Sequence, residues 1–421
     1  MRTDKLLLLS GIAAVIFAGC TTADVPPQPD EAAEKDYLNA AVLVQAMDIL
    51  NRKYVDPEKT GNAKLFDAAL HGMVSNLDPY SDYEPPQAFD RNQTRRTGEL
   101  CGIGVVIVKP DKNYLHVVNV FPGSPAEKAG LRPGDTIISI GETDLRRLNL
   151  FQCQKLLSGP SGSKLTLSWN SAGKIRKQTL TRQQVITPTV SAAKLAAPGI
   201  GYIRIDSFTP HTPEEFLRAK KKLDKEGANA LVIDLRNNTG GLVRAAVLTL
   251  SQLLDPGKVL FTATQRDAEK QETIRSMKLK DVRPDTKTPV ILLVNSFTAS
   301  SAEIFTGALR DNGRAQTVGT RTFGKGTLLN VVRLANGGAL RFASGRYRTP
   351  SGKVIEGKGI LPDHAVVIPL RELHRLTLQM RRFPGEVRPK QKGAVTDTQL
   401  EKAIDLLSAA KAASADGPKK D

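Results

Sequence analysis

The chain has 421 residues, of which 24% are charged and 40% hydrophobic, and a formal net charge of +17. That is the balance of an ordinary soluble globular protein, long enough for two or three domains with substantial cores. The positive charge suits anionic partners, but the basic residues are dispersed and only 5% of residues are aromatic, which argues against a nucleic-acid surface.

Arg2 and Lys5 flank the start of an apolar run, Leu6–Ala18, of signal-peptide length. It is shorter than a membrane span requires. The run closes on Phe17-Ala18-Gly19-Cys20. Small residues before a cysteine resemble the bacterial lipobox, with Phe17 in place of its usual leucine. Residues 1–19 are therefore expected to be a lipoprotein signal peptide, cleaved before a lipidated Cys20. Thr21 follows, and no aspartate stands there to signal retention at an inner membrane. The expected address is the periplasmic face of a Gram-negative membrane, the outer membrane by preference. Residues 20–35 are rich in Pro, Ala and acids and read as a flexible tether. Of the remaining cysteines, Cys101 and Cys153 could pair in an oxidising compartment, but the sequence does not place them within bonding distance. No CxxC or HExxH occurs and the five histidines are scattered, which argues against a metal site.

Residues 36–96 read as a helical module. Asp36–Tyr54 has helical apolar spacing and ends at Asp56-Pro57; a second helix, Asn62–Leu77, stops at Asp78-Pro79. Leu77-Asp-Pro-Tyr-Ser-Asp-Tyr83 is a turn with aromatic anchors. Packing on the domains that follow is the role expected of the module.

Residues 97–184 change character. Short β runs at Gly104–Val108 and Leu115–Val120 precede Ser124-Pro-Ala-Glu-Lys-Ala-Gly-Leu-Arg-Pro-Gly-Asp135. Ile137–Ile140, a helix around Leu150–Leu157 and a strand at Lys164–Asn170 follow. The SPAEKAGLRPGD run resembles the short helix and turn of a PDZ domain. In that family a peptide adds as a strand to a sheet edge, and its terminal carboxylate sits among converging backbone N–H groups. The resemblance puts this loop at Cys101-Gly102-Ile103-Gly104, so Gly102, Ile103 and Gly104 become the candidate carboxylate-binding residues.

From residue 185 strands alternate with helices, which predicts an α/β core with parallel pairing through residue 370. The expected elements are a strand at Gly201–Phe208, a helix at Thr212–Glu226 with Pro213 at its first turn, and a strand at Ala230–Leu235. A helix at Leu242–Leu254 and strands at Val290–Val294 and Thr327–Leu334 come next, then a hairpin from Gly338 through Gly352. Arg236-Asn-Asn-Thr-Gly240-Gly241 lies between a strand and a helix, where glycine N–H groups can meet a developing negative charge. Residues 371–421 form a basic tail that includes Arg371, Arg375, Arg381, Arg382, Arg388, Lys390 and Lys392, closed by a helix at Thr398–Ala413.

Val294–Asn330 holds the densest chemistry. Ser296, Ser300 and Ser301 lie at a strand-to-helix turn, and Lys325 stands between Gly324 and Gly326. A serine on such a turn can present its hydroxyl to a cleft, and flanking glycines let the lysine backbone approach what it touches. Ser and Lys together suggest a nucleophile and base. Gly319–Lys325 also fits the start of the phosphate loop GxxxxGK[ST]. Gly326 replaces its hydroxyl residue and a strand, not a helix, follows, so a nucleotide site is rejected.

LDPYSDY, CGIG, GYIRIDSF, DLRNNTGG, VNSFTASSAEI, RTFGKG, YRTPSGKVI and GILPD, in that order, resemble the carboxyl-terminal processing (tail-specific) serine proteases of peptidase family S41A. The likeness runs from about Tyr37 to Asp363. It implies an α/β multidomain protein: the helical module, a PDZ β-sandwich-like domain and a ClpP/crotonase-like protease core. In that family the nucleophile precedes a Glu-Ile pair by three residues, which is Ser300 here, with Glu303-Ile304 matching. The base lies 25 positions on, in the FGKG motif, which is Lys325. Ser296 and Ser301 lack that spacing. The expected oxyanion donors are the N–H groups of Gly240 or Gly241 and of Ser301. Lys325 must be neutral to act. Bringing a lysine from near 10.4 to about 7 means destabilising its ammonium by about 4–5 kcal/mol, and burial between PDZ and core is the expected source. The family's amine-orienting glutamine, four residues after the lysine, is Leu329 here. Phe297 stands where a glycine is usual, and Cys101 ahead of Gly102 is a third departure.

The function implied is a lipid-anchored endopeptidase without cofactor or metal, acting on C-terminal tails of unfolded or exported proteins. Adaptor lipoproteins and homo-oligomers fit the reading, and nucleic acid does not. The alternative, motivated by Leu329, is a catalytically weak or inactive lipoprotein receptor that binds tails through its PDZ domain.

Overall fold

A computed structural model describes residues 31–97, 99–109, 114–121, 123–265, 272–369, 371–372, 375–376 and 395–415. Cys20 and the basic positions Arg381, Arg382, Arg388, Lys390 and Lys392 lie outside the described residues. The chain divides into two units, residues 1–72 and 73–421. In the first, α1 (Glu31–Lys53) ends on Arg52 and Lys53, where cations suit the helix dipole. α2 (Asn62–Ser75) opens there, and its chain continues into the second unit. Among the described residues no helix is long and apolar enough to cross a membrane, and no group of three His, Cys, Asp or Glu could hold a metal ion.

In the second unit the aromatic turn is followed by β1 (Asp82–Glu84), α3 (Pro86–Thr97) and β2 (Glu99–Gly102). Neither β1 nor α3 is foreseen in the sequence. β3 (Val105–Val108), β4 (Leu115–Val120), α4 (Pro125–Lys128), β5 (Thr136–Ile140), β6 (Thr143–Asp144), α5 (Leu150–Leu157), β7 (Lys164–Ser171) and β8 (Lys174–Thr181) come next. The sheet order is β3-β4-β5-β7-β8, with β6 on β5, so β3 lies at an edge. The SPAEKAGL signal has a plain cause. Ser124 caps α4 by accepting from Glu127 N–H, and the Glu127 carboxylate accepts from Gly123 N–H at 2.7 Å. Asn149 and Gln152 make the reciprocal box at the start of α5. Ile103, Leu115, Ile137, Leu167 and Trp169 fill this domain's own core.

β9 (Gln183–Ile186) pairs antiparallel with β2, so the strands leading into and out of this domain form a two-stranded ribbon. The core then runs β10 (Val190–Ala197), β11 (Ile200–Ile205), α6 (Thr212–Lys225), β12 (Ala230–Asp234), α7 (Val243–Leu250), β13 (Val259–Gln265), β14 (Glu272–Arg275), β15 (Val290–Val294), α8 (Ser301–Asp311), β16 (Ala315–Gly319), β17 (Thr327–Arg333), β18 (Ala339–Arg348), β19 (His364–Ala365) and α9 (Thr398–Ala415). Its main sheet has the order β10-β11-β12-β15-β16-β19. Every pair is parallel except β10 with β11. β15 is apolar throughout and β12 is apolar up to Asp234, because both faces are covered. Ile203, Leu231, Ile233 and Leu292 face the core shared with α6, α7 and α8. Tyr202, Val232, Ile291 and Leu293 face Ala403 and Leu407 of α9. Burying each such side chain contributes about 1.5–3 kcal/mol.

A second sheet, β1-β18-β13-β14 with β17 on β18, stands beside it. Here the sequence reading needs correction. β18 pairs along β17 from Thr327↔Arg346 to Arg333↔Ala339, so the hairpin turns at residues 334–338. The stretch after Arg348 makes only a single bridge, Arg348↔Val354.

Candidate active site

Ser300 joins the end of β15 to α8 and holds φ 56°, ψ −123°. For a residue with a Cβ this is a strained conformation, and strain persists only where its surroundings over-determine it. The surroundings do. The Ser300 N–H donates to Glu303 Oε2 at 2.9 Å, and its carbonyl accepts from Glu303 N at 2.8 Å and from the Tyr347 hydroxyl at 2.9 Å. A serine on such an elbow stands proud of the sheet.

The loop after β12 is braced against this elbow. Asn237 and Asn295 exchange hydrogen bonds at 3.0 Å, Thr298 Oγ1 donates to the Leu235 carbonyl at 2.9 Å, and Ala299 N donates to the Asn238 carbonyl at 2.9 Å. Gly240 and Gly241 then pass beside Ser300. A Cβ on Gly240 would lie 2.9 Å from Ser300 Cβ, and one on Gly241 would lie 2.2 Å from the Phe208 carbonyl oxygen. Both positions therefore require glycine. The Gly240 N–H is taken by Asn238 Oδ1 at 2.8 Å. Among the described residues the N–H groups of Gly241 and Ser301 have no hydrogen-bond partner. Of the expected oxyanion donors, Gly240 is thus already engaged, and Gly241 and Ser301 remain.

Beneath the loop lies a buried ionic layer. Asp234 is fully buried and Arg236 is 1% exposed. Arg236 donates to Asp234, to both carboxylate oxygens of Asp397 at 2.8 Å, and to Gln399 at 3.0 Å. The C-terminal segment thereby ties into the chain directly before Asn237.

Lys325 approaches from the other side. Its N–H donates to Glu303 Oε2 at 2.8 Å, Gly324 N–H donates to Glu303 Oε1 at 2.7 Å, and Thr322 Oγ1 donates to the same oxygen at 2.6 Å. One fully buried carboxylate thus holds the backbones of both Ser300 and Lys325. Burial pushes the Glu303 carboxyl up, against the hydrogen bonds from Thr322, Lys325, Gly324 and Ser300 that pull it down. Tyr347 adds a second tie, because its one hydroxyl hydrogen is shared between the Ser300 and Lys325 carbonyls. The flanking glycines allow a close backbone approach. A Cβ on Gly324 would lie 2.9 Å from Gly359 N, and one on Gly326 2.7 Å from Glu356 N. They let this segment press against residues 356–359, which include Glu356, a charge that acts on the Lys325 amine.

The Lys325 amine lies 4.6 Å from the centre of the Tyr80 ring. Burial lowers its pKa, the nearby Arg341 charge lowers it further, and Glu356 and Asp78 oppose. Tyr80, from the turn before β1, is thus a cover that the sequence reading had looked for in the PDZ domain. Leu329 pairs with Ala343 in the β17–β18 ladder. Asn330 is exposed, and its side-chain oxygen accepts from the N–H of Val331. Phe297 and Phe323 are both exposed, and Phe323 N–H donates to the Thr298 carbonyl at 2.9 Å.

At the other candidate site Gly102 ends β2, Ile103 is buried, and Gly104 has φ +79°. A Cβ on Gly104 would lie 2.3 Å from Ser124 Cβ. The carbonyls of Ile103 and Gly104 accept from Ala126 N and Phe121 N at 2.9 Å, so both are engaged within the domain. Cys101 and Cys153 are both free thiols.

The sequence of residues 199–366 matches Peptidase family S41, and that of residues 93–169 matches the PDZ domain. The chain is 32% identical over 381 residues to a carboxyl-terminal-processing protease of Synechocystis sp., covering 89% of this chain and 84% of that protein. It is 33% identical to a carboxy-terminal-processing protease of Bartonella bacilliformis, covering 82% and 83%. The chain belongs to the carboxyl-terminal-processing proteases of peptidase family S41. It is a serine-type endopeptidase carrying a PDZ domain. Among solved structures, a putative S41 protease from Bacteroides fragilis shares the fold at TM-score 0.52 and 16% identity, covering 86% of this chain and 97% of that one. A photosystem II D1 C-terminal processing protease is 30% identical, with TM-score 0.44, covering 77% and 92%.

In this S41 protease the interval from Ser300 to Lys325 was legible, and the groups that join them were not. Glu303 served only as a marker for Ser300. Tyr347 lies 47 positions from Ser300 and was read as hairpin. Tyr80 lies in the turn of aromatic anchors, where the sequence alone points only to packing. An available signal was the charge of Glu303, since a carboxylate inside an otherwise apolar helical face is buried only when it has partners.

Proposed function

We propose that this protease is a lipid-anchored enzyme of the periplasmic face of a Gram-negative membrane, the outer membrane by preference, with Ser300 as nucleophile and Lys325 as general base. The observation that carries the dyad is the shared Glu303 carboxylate, which holds both residues by their N–H groups. Neutral Lys325 takes the proton of Ser300 Oγ as that oxygen attacks the scissile carbonyl carbon. The N–H groups of Gly241 and Ser301 receive the oxyanion. Collapse breaks the C–N bond, and the Lys325 ammonium returns its proton to the leaving amine. Water then cleaves the acyl-enzyme with Lys325 again as base.

The unpaired edge of β3 and the loop Gly102–Gly104 support capture of a substrate's C-terminal carboxylate. The anchor rests on Cys20 and the residues before it. The capture reading is tested with matched tail peptides, as free acids and as amides, with cleavage read by mass spectrometry. Free acids are expected to be cleaved about ten- to a hundredfold faster, the range of one lost charged contact. Gly104→Ala should abolish that preference, since its Cβ has no room. Equal cleavage of acid and amide would remove the carboxylate role. Binding of tails with no cleavage at all would favour the receptor reading. Incorporation of labelled palmitate, lost in Cys20→Ser, tests the anchor.

A further inference from the structure

The base of a Ser–Lys pair needs its amine held toward the serine, and neighbours along β17 do not hold it here. Leu329 has no polar atom in its side chain, and the Asn330 side-chain oxygen is occupied locally by Val331 N–H. What meets the amine is the face of Tyr80, 4.6 Å away. The turn that presents Tyr80 is built for accuracy. Asp78 Oδ1 accepts from Tyr80 N at 2.7 Å and Ser81 N at 2.8 Å, and Asp78 Oδ2 accepts from Ser81 Oγ at 2.5 Å. Ser81 Oγ in turn accepts from Ala343 N at 3.1 Å, a residue of β18. The next three residues, β1, pair with β18 at Asp82↔Arg341, Tyr83↔Leu340 and Glu84↔Ala339. β18 also carries Tyr347, whose hydroxyl holds the carbonyls of Ser300 and Lys325. Ring, serine and lysine are therefore all registered to one strand.

We propose that Tyr80 is a positioning residue for Lys325: its ring face fixes the amine's direction and keeps water from it, so the turn before β1 completes the active site. The inference rests on the dyad reading. The ring face attracts the ammonium, and its bulk keeps water from the neutral amine. The phenol hydroxyl is not required, because the ring face is what meets the amine. The carboxylate of Asp78 acts one step further back. Burial works against its charge, while hydrogen bonds from Ser81 and Tyr80 and the Lys325 charge keep its pKa low, so it stays an acceptor for the turn.

The test compares Tyr80→Phe, Tyr80→Leu and Tyr80→Ala in steady-state kinetics on one tail peptide, with pH–rate profiles and melting temperatures. Tyr80→Phe is expected to stay within about threefold of the parent, and Tyr80→Leu and Tyr80→Ala to lose about 10- to 100-fold in kcat with KM little changed. In Tyr80→Ala the ascending limb of the profile should also move to higher pH, because the water that reaches the amine outweighs the lost attraction of the ring for the ammonium. A Tyr80→Ala enzyme with unchanged kcat overturns the proposal. So does one whose kcat falls only in step with its melting temperature while the pH limb stays in place, since that is the mark of a structural role. The dyad reading fails separately, if Lys325→Met leaves turnover intact.

Discussion

Ser300→Ala and Lys325→Met will each lower kcat on an unstructured substrate such as casein by more than about a thousandfold, and the double variant will be little worse than either alone. Residues that act as one unit show this non-additivity, because removing either partner already ends the concerted proton transfer. Residual turnover would come from the oxyanion donors and from binding. The pH dependence has a definite sign. Burial lowers the Lys325 pKa and the Arg341 charge adds to it. The activity of the parent should therefore rise on a limb whose midpoint lies below the ordinary lysine value of about 10.4. Stability follows the same proton. Between the folded and unfolded values the unfolded chain binds more protons at Lys325, so stability rises with pH across that window. Lys325→Met removes the slope, so it should be the more stable protein at neutral pH and lose that advantage as pH rises. Parent-like turnover in either single variant would end the dyad assignment. Chemical melts across pH check the second half.

What the sequence could not convey follows from distance along the chain and from pattern. The main sheet was legible because Val290–Val294 of β15 and Ala230–Ile233 of β12 are apolar runs, buried on both faces. α5 was legible for its periodicity, and α4 for the SPAEKAGL run whose capping the structure explains. β8 was missed because Lys174-Ile-Arg-Lys-Gln-Thr-Leu-Thr181 buries only Leu180 and so shows no alternation. α3 was missed because Pro86–Thr97 holds a single large apolar residue, Phe89. At the site, the family resemblance pointed to Ser300 and Lys325, and to Gly240 or Gly241 with Ser301 as oxyanion donors. Tyr80, Tyr347, Glu356 and Asp397 arrive through tertiary pairing. Asp397 meets Arg236 across 161 positions, and Ser81 meets Ala343 across 262. No local pattern encodes such contacts. The Ser81–Ala343 contact follows only once β18 is known to accept β1 on one side and β17 on the other.

Glu303→Gln is the other change expected to be severe, although it alters one atom and no volume. Every acceptor site of the carboxylate is used. Oε2 takes the N–H groups of Ser300 and Lys325, and Oε1 takes the N–H of Gly324 and the hydroxyl of Thr322. Thr322 cannot simply turn away, since its oxygen already accepts from Ile360 N at 2.7 Å. A glutamine offers one oxygen and one NH2. If the NH2 faces Thr322, the hydroxyl can reverse its bond, but Gly324 N–H meets another donor. If it faces the other way, the N–H groups of Ser300 and Lys325 are both opposed. A buried donor left without a partner costs about 1–3 kcal/mol, so the first orientation should prevail with a loss near that range. Activity should fall further than stability. The strained φ of Ser300 is sustained by its N–H bond to an ionised acceptor, and a charge-assisted bond is about twice as strong as a neutral one. Weakening it frees the elbow to relax, which shifts Oγ relative to Lys325 and turns Ser301 N–H from the oxyanion. Loss of one well-aimed oxyanion donor alone is worth about 10²–10³ in kcat. The expected enzyme is folded, melts a few degrees lower and turns over at least about a hundredfold more slowly, with KM for tail peptides retained because the PDZ domain has its own core. Glu303→Asp should not rescue it, since one methylene fewer withdraws the carboxylate from the two segments, at Ser300 and at Gly324-Lys325, that it joins. A Glu303→Gln protein with parent kcat would mean that the shared carboxylate does not set the geometry of the pair.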